Sequence, residues 1–175
     1  RFNWAKQLFD EQELIHELPA TAKEFYGKNI AVKDLQIAKK LCMDTVGQGS
    51  NPTWFLVRKW RITASRARSI WKAKKTSTLL NYFLTSPADN RHLQYGRELE
   101  PMARDAYEKL TGFKVIEVGL IVKTEMPFIA ASPDGICVQD GHLHILEIKC
   151  PSSCADKLID VDYIYRSGGF ITGAP

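Results

Sequence analysis

One switch in the sequence constrains the fold more than any other. Up to Gly112 the apolar residues recur mainly at helical spacing, and after it they recur at strand spacing. Leu99, Met102, Ala103, Ala106, Tyr107 and Leu110 follow the i, i+3, i+4, i+7 pattern, which predicts a helix over about 97–111 with Gly112 as its C-terminal stop. The segments 113–122, 128–131 and 142–150 that follow are rich in Val, Ile, Leu and Phe, which predicts strands. The first 45 residues also read as helical, and Gln48–Pro52 and Ser86–Asn90 read as loops. Helices followed by a run of strands imply an α+β (mixed α/β) domain, a small sheet flanked by helices. We divide the chain into an N-terminal helical region, 1–50, and a second domain, 51–175.

The 175 residues suffice for one sizeable core, and 45% hydrophobic with 25% charged residues excludes a disordered or collagen-like chain. No apolar run reaches membrane-spanning length and no start resembles a signal peptide, so no membrane partner is expected. An intracellular site is expected, nuclear or cytoplasmic left open. The chain begins with Arg1 and reads as a piece of something longer. Its four cysteines, Cys42, Cys137, Cys150 and Cys154, are expected as free thiols, and no second pair completes a zinc site. His142 and His144 alternate along a strand and read as structural or surface residues.

The net charge is only +4, but it is unevenly placed. Between Trp54 and Ser77 there is no Asp or Glu, while Arg58, Lys59, Arg61, Arg66, Arg68, Lys72, Lys74 and Lys75 all fall there, with Trp54, Trp60 and Trp71 among them. Such a block is the electrostatic footprint of a polyanion-binding surface, or else a solvated helix face over core tryptophans. Thr63 or Ser65 is placed to cap a basic helix running toward Lys75.

Chemistry concentrates in the last strands. Leu146-Glu147-Ile148-Lys149-Cys150 places a charged pair inside an apolar strand. Strand alternation points Glu147 and Lys149 one way and Ile148 the other. If the segment after Ser132-Pro133-Asp134-Gly135 pairs with this strand, Asp134 comes close to Glu147. Two hard carboxylates suit Mg²⁺, with Mn²⁺ as a substitute, and Lys149 beside them can orient a water. Taken singly, Asp134 reads as a turn residue and Glu147-x-Lys149 as a solvated face.

Pro133-Asp134, twelve residues and Glu147-Ile148-Lys149 resemble the PD-(D/E)XK nuclease pattern. With Trp54, Arg58, Arg61-Ile62-Thr63-Ala64-Ser65, then Tyr95-Gly96-Arg97-Glu98-Leu99-Glu100, and then Cys150-Pro151, the chain resembles the YqaJ viral recombinase family, relatives of phage lambda exonuclease. The resemblance implies a restriction-endonuclease-like core and a Mg²⁺-dependent DNA nuclease, a 5′-to-3′ exonuclease on double-stranded DNA ends in recombination or repair. It implies that Asp134, Glu147 and the Ile148 carbonyl bind metal, that Lys149 positions the water, and that Glu100, rather than Glu98, is an additional acid near the metal. Arg58, Ser65 and Ser132 would hold the DNA 5′-phosphate, and Arg61, Arg66, Arg68, Lys72 and Lys74 would follow the duplex backbone. A homo-oligomer and a single-strand annealing partner are further implications. Cys154–Pro175 departs from the family in lacking a glutamine-bearing helix, so the domain reads as truncated or divergent there. The rival reading is a catalytically inactive nucleic-acid-binding module derived from such a nuclease.

Overall fold

The computed structural model describes residues 15–84 and 91–152, apart from the side chains of Leu79 and Tyr82. The expected helical start before residue 15, the Ser86–Asn90 loop and the divergent Cys154–Pro175 tail lie outside the described residues. Of those described, 15–84 and 113–147 make one unit, and 91–112 with 148–152 make a second.

The first unit contains two short helices, α1 (Ala20–Asn29) and α2 (Leu35–Asp44). The Asp34 side chain starts α2 by accepting the Ile37 amide at 2.9 Å, a cap of the usual kind. The expected Gln48–Pro52 loop is instead a 3₁₀ turn (Gln48–Ser50) leading straight into α3 (Pro52–Lys59). Asn51 caps α3 through its bond from the Thr53 amide, and Pro52 fits the first turn because no partner is needed there for its missing N–H. Helix α4 covers Ala64–Lys72, three residues short of the expected end, and α5 covers Thr76–Leu84. Thr63 stands at the N-cap of α4 but makes no capping bond; its hydroxyl lies 3.3 Å from that of Ser65.

Among the described residues five strands follow: β1 (Val115–Ile116), β2 (Ile121–Lys123), β3 (Met126–Ala131), β4 (Gly135–Gln139) and β5 (His142–Leu146). They form a three-stranded sheet in the order β1-β4-β5 and a two-stranded β2-β3 pair, all antiparallel. The expected strand over 113–122 is broken between β1 and β2. The Leu120 amide turns away from any ladder to donate to the Thr45 hydroxyl at 2.7 Å, and that hydroxyl is itself fixed to the Leu41 and Cys42 carbonyls at the end of α2. The core lies at this junction: Val32, Ala38, Leu120, Val122 and Ala130, with Leu41, Trp54 and Val57 packed against it. Full burial of a Val or Leu side chain contributes about 1.5–3 kcal/mol.

The segment between α3 and α4 joins the same framework. Ile62 bridges Ile129 of β3 in parallel, its amide donating to the Phe128 carbonyl and its carbonyl accepting from the Ala130 amide. The observed class is therefore the mixed one expected, helices with small sheets.

In the second unit α6 runs Arg91–Thr111, beginning six residues earlier than the sequence pattern shows. Gly96 sits inside it, with the Cys150 carbonyl passing at van der Waals distance from where a Cβ would lie. Among the described residues no helix is long and apolar enough to cross a membrane.

Candidate active site

The geometry of the acidic pair begins in a turn. Asp140 and Gly141, at φ +51° and +76°, form a two-residue loop between β4 and β5. Positive φ at both positions is the geometry whose twist matches a tight hairpin, and Asp-Gly is a sequence suited to it. The turn sets the register: Gln139 faces His142, and the ladder runs through Ile136 opposite Ile145 to Gly135 opposite Leu146. The next pair in that register is Asp134 and Glu147. The strand ends at Leu146, so Glu147, Ile148 and Lys149 lie just past β5 and not within it, as the sequence pattern had implied. The physical reason is Pro133, which has no amide to continue a ladder. Its carbonyl is also taken, accepting from the Gln48 side chain at 2.7 Å. The expected alternation persists beyond the strand end: Glu147 and Lys149 are exposed and Ile148 is half-buried, while Asp134 is half-buried behind a buried Pro133. Gly135 leaves room for β1, since a Cβ there would meet Val115 Cγ1 at 2.3 Å.

Two residues before Asp134, Ser132 belongs to a polar group gathered from three elements. The Trp54 indole Nε1–H of α3 donates to the Ser132 hydroxyl at 2.9 Å. One turn further along α3, the Arg58 guanidinium lies over the Trp54 ring, 4.7 Å from its centroid. Its Nη2 donates to the hydroxyl of Ser65 on α4 at 2.8 Å. Arg58, Ser65 and Ser132 are thus brought together through Trp54, whose role the sequence pattern does not reveal. The Arg58 Nε is buried with no hydrogen-bond partner. Burial, and then the nearby charge of Arg66, lowers the Arg58 pKa from its ordinary value. The fold therefore holds a cation at a cost that an arriving anion would offset.

The remaining basic residues separate into two kinds. Arg61, expected along a duplex backbone, is a correction: it is only 2% exposed. Its guanidinium donates to the Pro127 carbonyl at 2.9 Å, to the Ile30 carbonyl at 2.9 Å and to the Val57 carbonyl. The parallel bridge at Ile62 draws its neighbour inward, so Arg61 ties α1 and α3 to β3 and is not available to DNA. Arg66 donates to the Lys59 carbonyl at 2.7 Å and lies over Phe83, with burial lowering its pKa. Arg68, Lys72 and Lys74 are exposed.

On α6, Glu100 accepts from Arg104 at 2.8 Å and is half-buried, whereas Glu98 is exposed and accepts from Gln94. That contrast agrees with the edge-of-stripe position of Glu100. His142 and His144 are exposed on β5, and Cys42, Cys137 and Cys150 are free thiols. Among the described residues no three His, Cys, Asp or Glu side chains gather as a metal-holding cluster. The residue the sequence pattern misses altogether is Gln48, whose amide joins the Val118 and Pro133 carbonyls.

The chain is similar to an alkaline exonuclease (LHK-Exo) from Laribacter hongkongensis, at 31% identity over 66% of this chain and 58% of that one, with a TM-score of 0.48. To the structure of LHK-Exo in complex with dAMP the identity is 34%, with the same coverages and a TM-score of 0.49. The chain thus spans less than two thirds of the length of those structures. No curated protein matches it. The YqaJ-like viral recombinase domain matches residues 53–161, which takes in Trp54, Arg58, Ser65, Glu100, Ser132, Asp134, Glu147 and Lys149. With more than half of its length matched by that one domain, the chain belongs to the YqaJ-like viral recombinase family.

Proposed function

We propose that this protein is a metal-dependent DNA nuclease that hydrolyses phosphodiester bonds at duplex ends, in the 5′-to-3′ direction, during recombination or repair. The observation that carries the reading is the β4–β5 register, which makes Asp134 and Glu147 the next pair beyond Gly135 and Leu146. Two neighbouring carboxylates present hard oxygens, the donor chemistry that fits Mg²⁺ or Mn²⁺. Asp134, Glu147 and the Ile148 carbonyl would hold the cation, which supplies Lewis acidity for the scissile phosphate. Glu100 keeps the role of an additional acid.

The protein's own groups supply the rest. Lys149 orients the attacking water and offsets negative charge that grows on the phosphoryl oxygens. Arg58 offers guanidinium N–H groups to a terminal phosphate, with the Ser65 and Ser132 hydroxyls as further donors. Trp54 holds this group two residues from Asp134 through Ser132. Engaging the terminal phosphate while the carboxylates face a neighbouring linkage makes an end-directed enzyme. Arg68, Lys72 and Lys74 add attraction to the backbone without reading sequence.

The test is cleavage of linear duplex DNA carrying 5′-phosphates, with Mg²⁺ and with EDTA, beside Lys149→Ala. Mg²⁺-dependent shortening from the ends, lost in the variant, is expected. Binding without cleavage under every metal tried would instead mark a retired binding module.

A further inference from the structure

The three tryptophans of the basic block have different surroundings. Trp54 stacks edge-on with Phe55 and holds Ser132. Trp60 meets Phe25 edge-on and stacks on Phe83, with Lys59 over its ring. Trp71, in the last turn of α4, is 85% exposed and makes no ring contact or hydrogen bond among the described residues. Leaving a ring of that size in water forgoes a large apolar burial, and nothing among the described residues covers it.

Its surroundings are chemically one-sided. Arg68, one turn earlier, shares its helix face, and Lys72 follows it directly. A cleft of about 270 Å³ opens beside this end of α4, lined by Arg68, Ser69, Lys72, Ala73, Lys74 and Thr78. Three cations and two hydroxyls face it, with no carboxylate in the lining. Trp71 does not line the cleft itself but stands next to it on the helix, between Arg68 and Lys72. A ligand that used both would offer a flat ring and an anion, which describes an unpaired nucleotide. A duplex hides the faces of its bases in the stack except at its very ends, so the interior of a double-stranded substrate cannot use Trp71 in this way.

We propose that Trp71 and the Arg68–Lys72–Lys74 cleft form a site for single-stranded DNA, one base stacking on the indole and its phosphate entering the cleft. The site is separate from the Arg58 group and stands on the exposed ring and the cleft, not on the ability to cleave. On a nuclease that removes one strand, it would receive the strand left unpaired.

The test uses the full chain in EDTA with an oligodeoxythymidine of about ten nucleotides ending in a 5′-hydroxyl, within the usual site size for such grooves. Binding is followed by tryptophan quenching and by anisotropy at several salt concentrations. Trp71→Ala is expected to bind the oligonucleotide about tenfold more weakly and to lose most of the quench, and Trp71→Phe to retain most of the affinity. Lys72→Ala and Lys74→Ala should each reduce the salt slope by about one. Thermal midpoints should stay unchanged, because the ring is exposed. Equal affinity of wild type and Trp71→Ala, or equal weakening toward blunt duplex and single strand, would overturn the site. A lowered midpoint in both Trp71 variants would do the same, by showing a structural role. Since no cleavage is needed, loss of the nuclease reading in the Mg²⁺ assay leaves this result standing.

Discussion

The Gln48 side-chain amide donates to the Pro133 carbonyl at 2.7 Å and to the Val118 carbonyl at 3.1 Å. A side chain five residues ahead of the matched family domain thereby holds the backbone immediately before Asp134. Gln48→Ala leaves both carbonyls without this donor, at an expected cost of about 1–3 kcal/mol. Gln48→Glu, which has no N–H to donate, should be at least as damaging. Urea denaturation reads the effect, and an unshifted midpoint in both variants would show that the bonds do not matter.

Arg61 gives a prediction opposite to the one its charge suggests. Its donors serve carbonyls of α1, α3 and the residue before Phe128, so Arg61→Leu should destabilise the fold by about 3 kcal/mol or more, leaving buried carbonyls unpaired. Arg61→Lys should not restore it, because an ammonium cannot reach all three with a planar fork. The salt slope of DNA binding for the folded fraction should be unchanged. A milder slope with full stability would place Arg61 on the DNA after all.

Arg58 carries the opposite expectation, a small effect on folding and a large one on substrate. Arg58→Ala should lower cleavage of 5′-phosphorylated ends by about 10- to 100-fold, to the level of 5′-hydroxyl ends. Arg58→Lys should recover little, since the guanidinium both lies over Trp54 and reaches Ser65. Competition between the two kinds of end is the measurement, and equal preference in the wild type would remove the phosphate role.

Asp134→Asn and Glu147→Gln are expected to abolish cleavage while duplex affinity in EDTA changes by less than about threefold. Each substitution removes a negative donor without changing side-chain size, so the β4–β5 register should persist. Residual turnover above a few per cent in either variant would argue that the pair is not the metal-holding one.

Much of this was legible before any coordinates. The helix ending at Gly112 and the change to strand spacing follow from periodicity, whereas the nearness of Asp134 to Glu147 was conditional on a hairpin, which the β4–β5 pairing supplies. The Asp140-Gly141 turn carried a local signal as well, an Asp-Gly between apolar runs, and it defines β4. Arg61 was not legible, because in a block without acids every cation reads as exposed; only the Ile62–Ile129 bridge shows that this one turns inward. Gln48 was not legible either, since its partner lies 85 residues away and nothing local marks the bond.

The β4–β5 hairpin also works as a ruler. Five ladder pairs and a two-residue turn account for all twelve residues between Asp134 and Glu147. Lengthening the hairpin by a rung adds one residue to each arm, so with this turn the interval can change only in steps of two. An odd insertion at the turn must be absorbed by a longer loop or a bulge, or it turns Glu147 to the opposite face of the sheet. With a two-residue turn the spacing between the two acids is therefore an even number for a mechanical reason, set at the far end of the hairpin by Asp140 and Gly141.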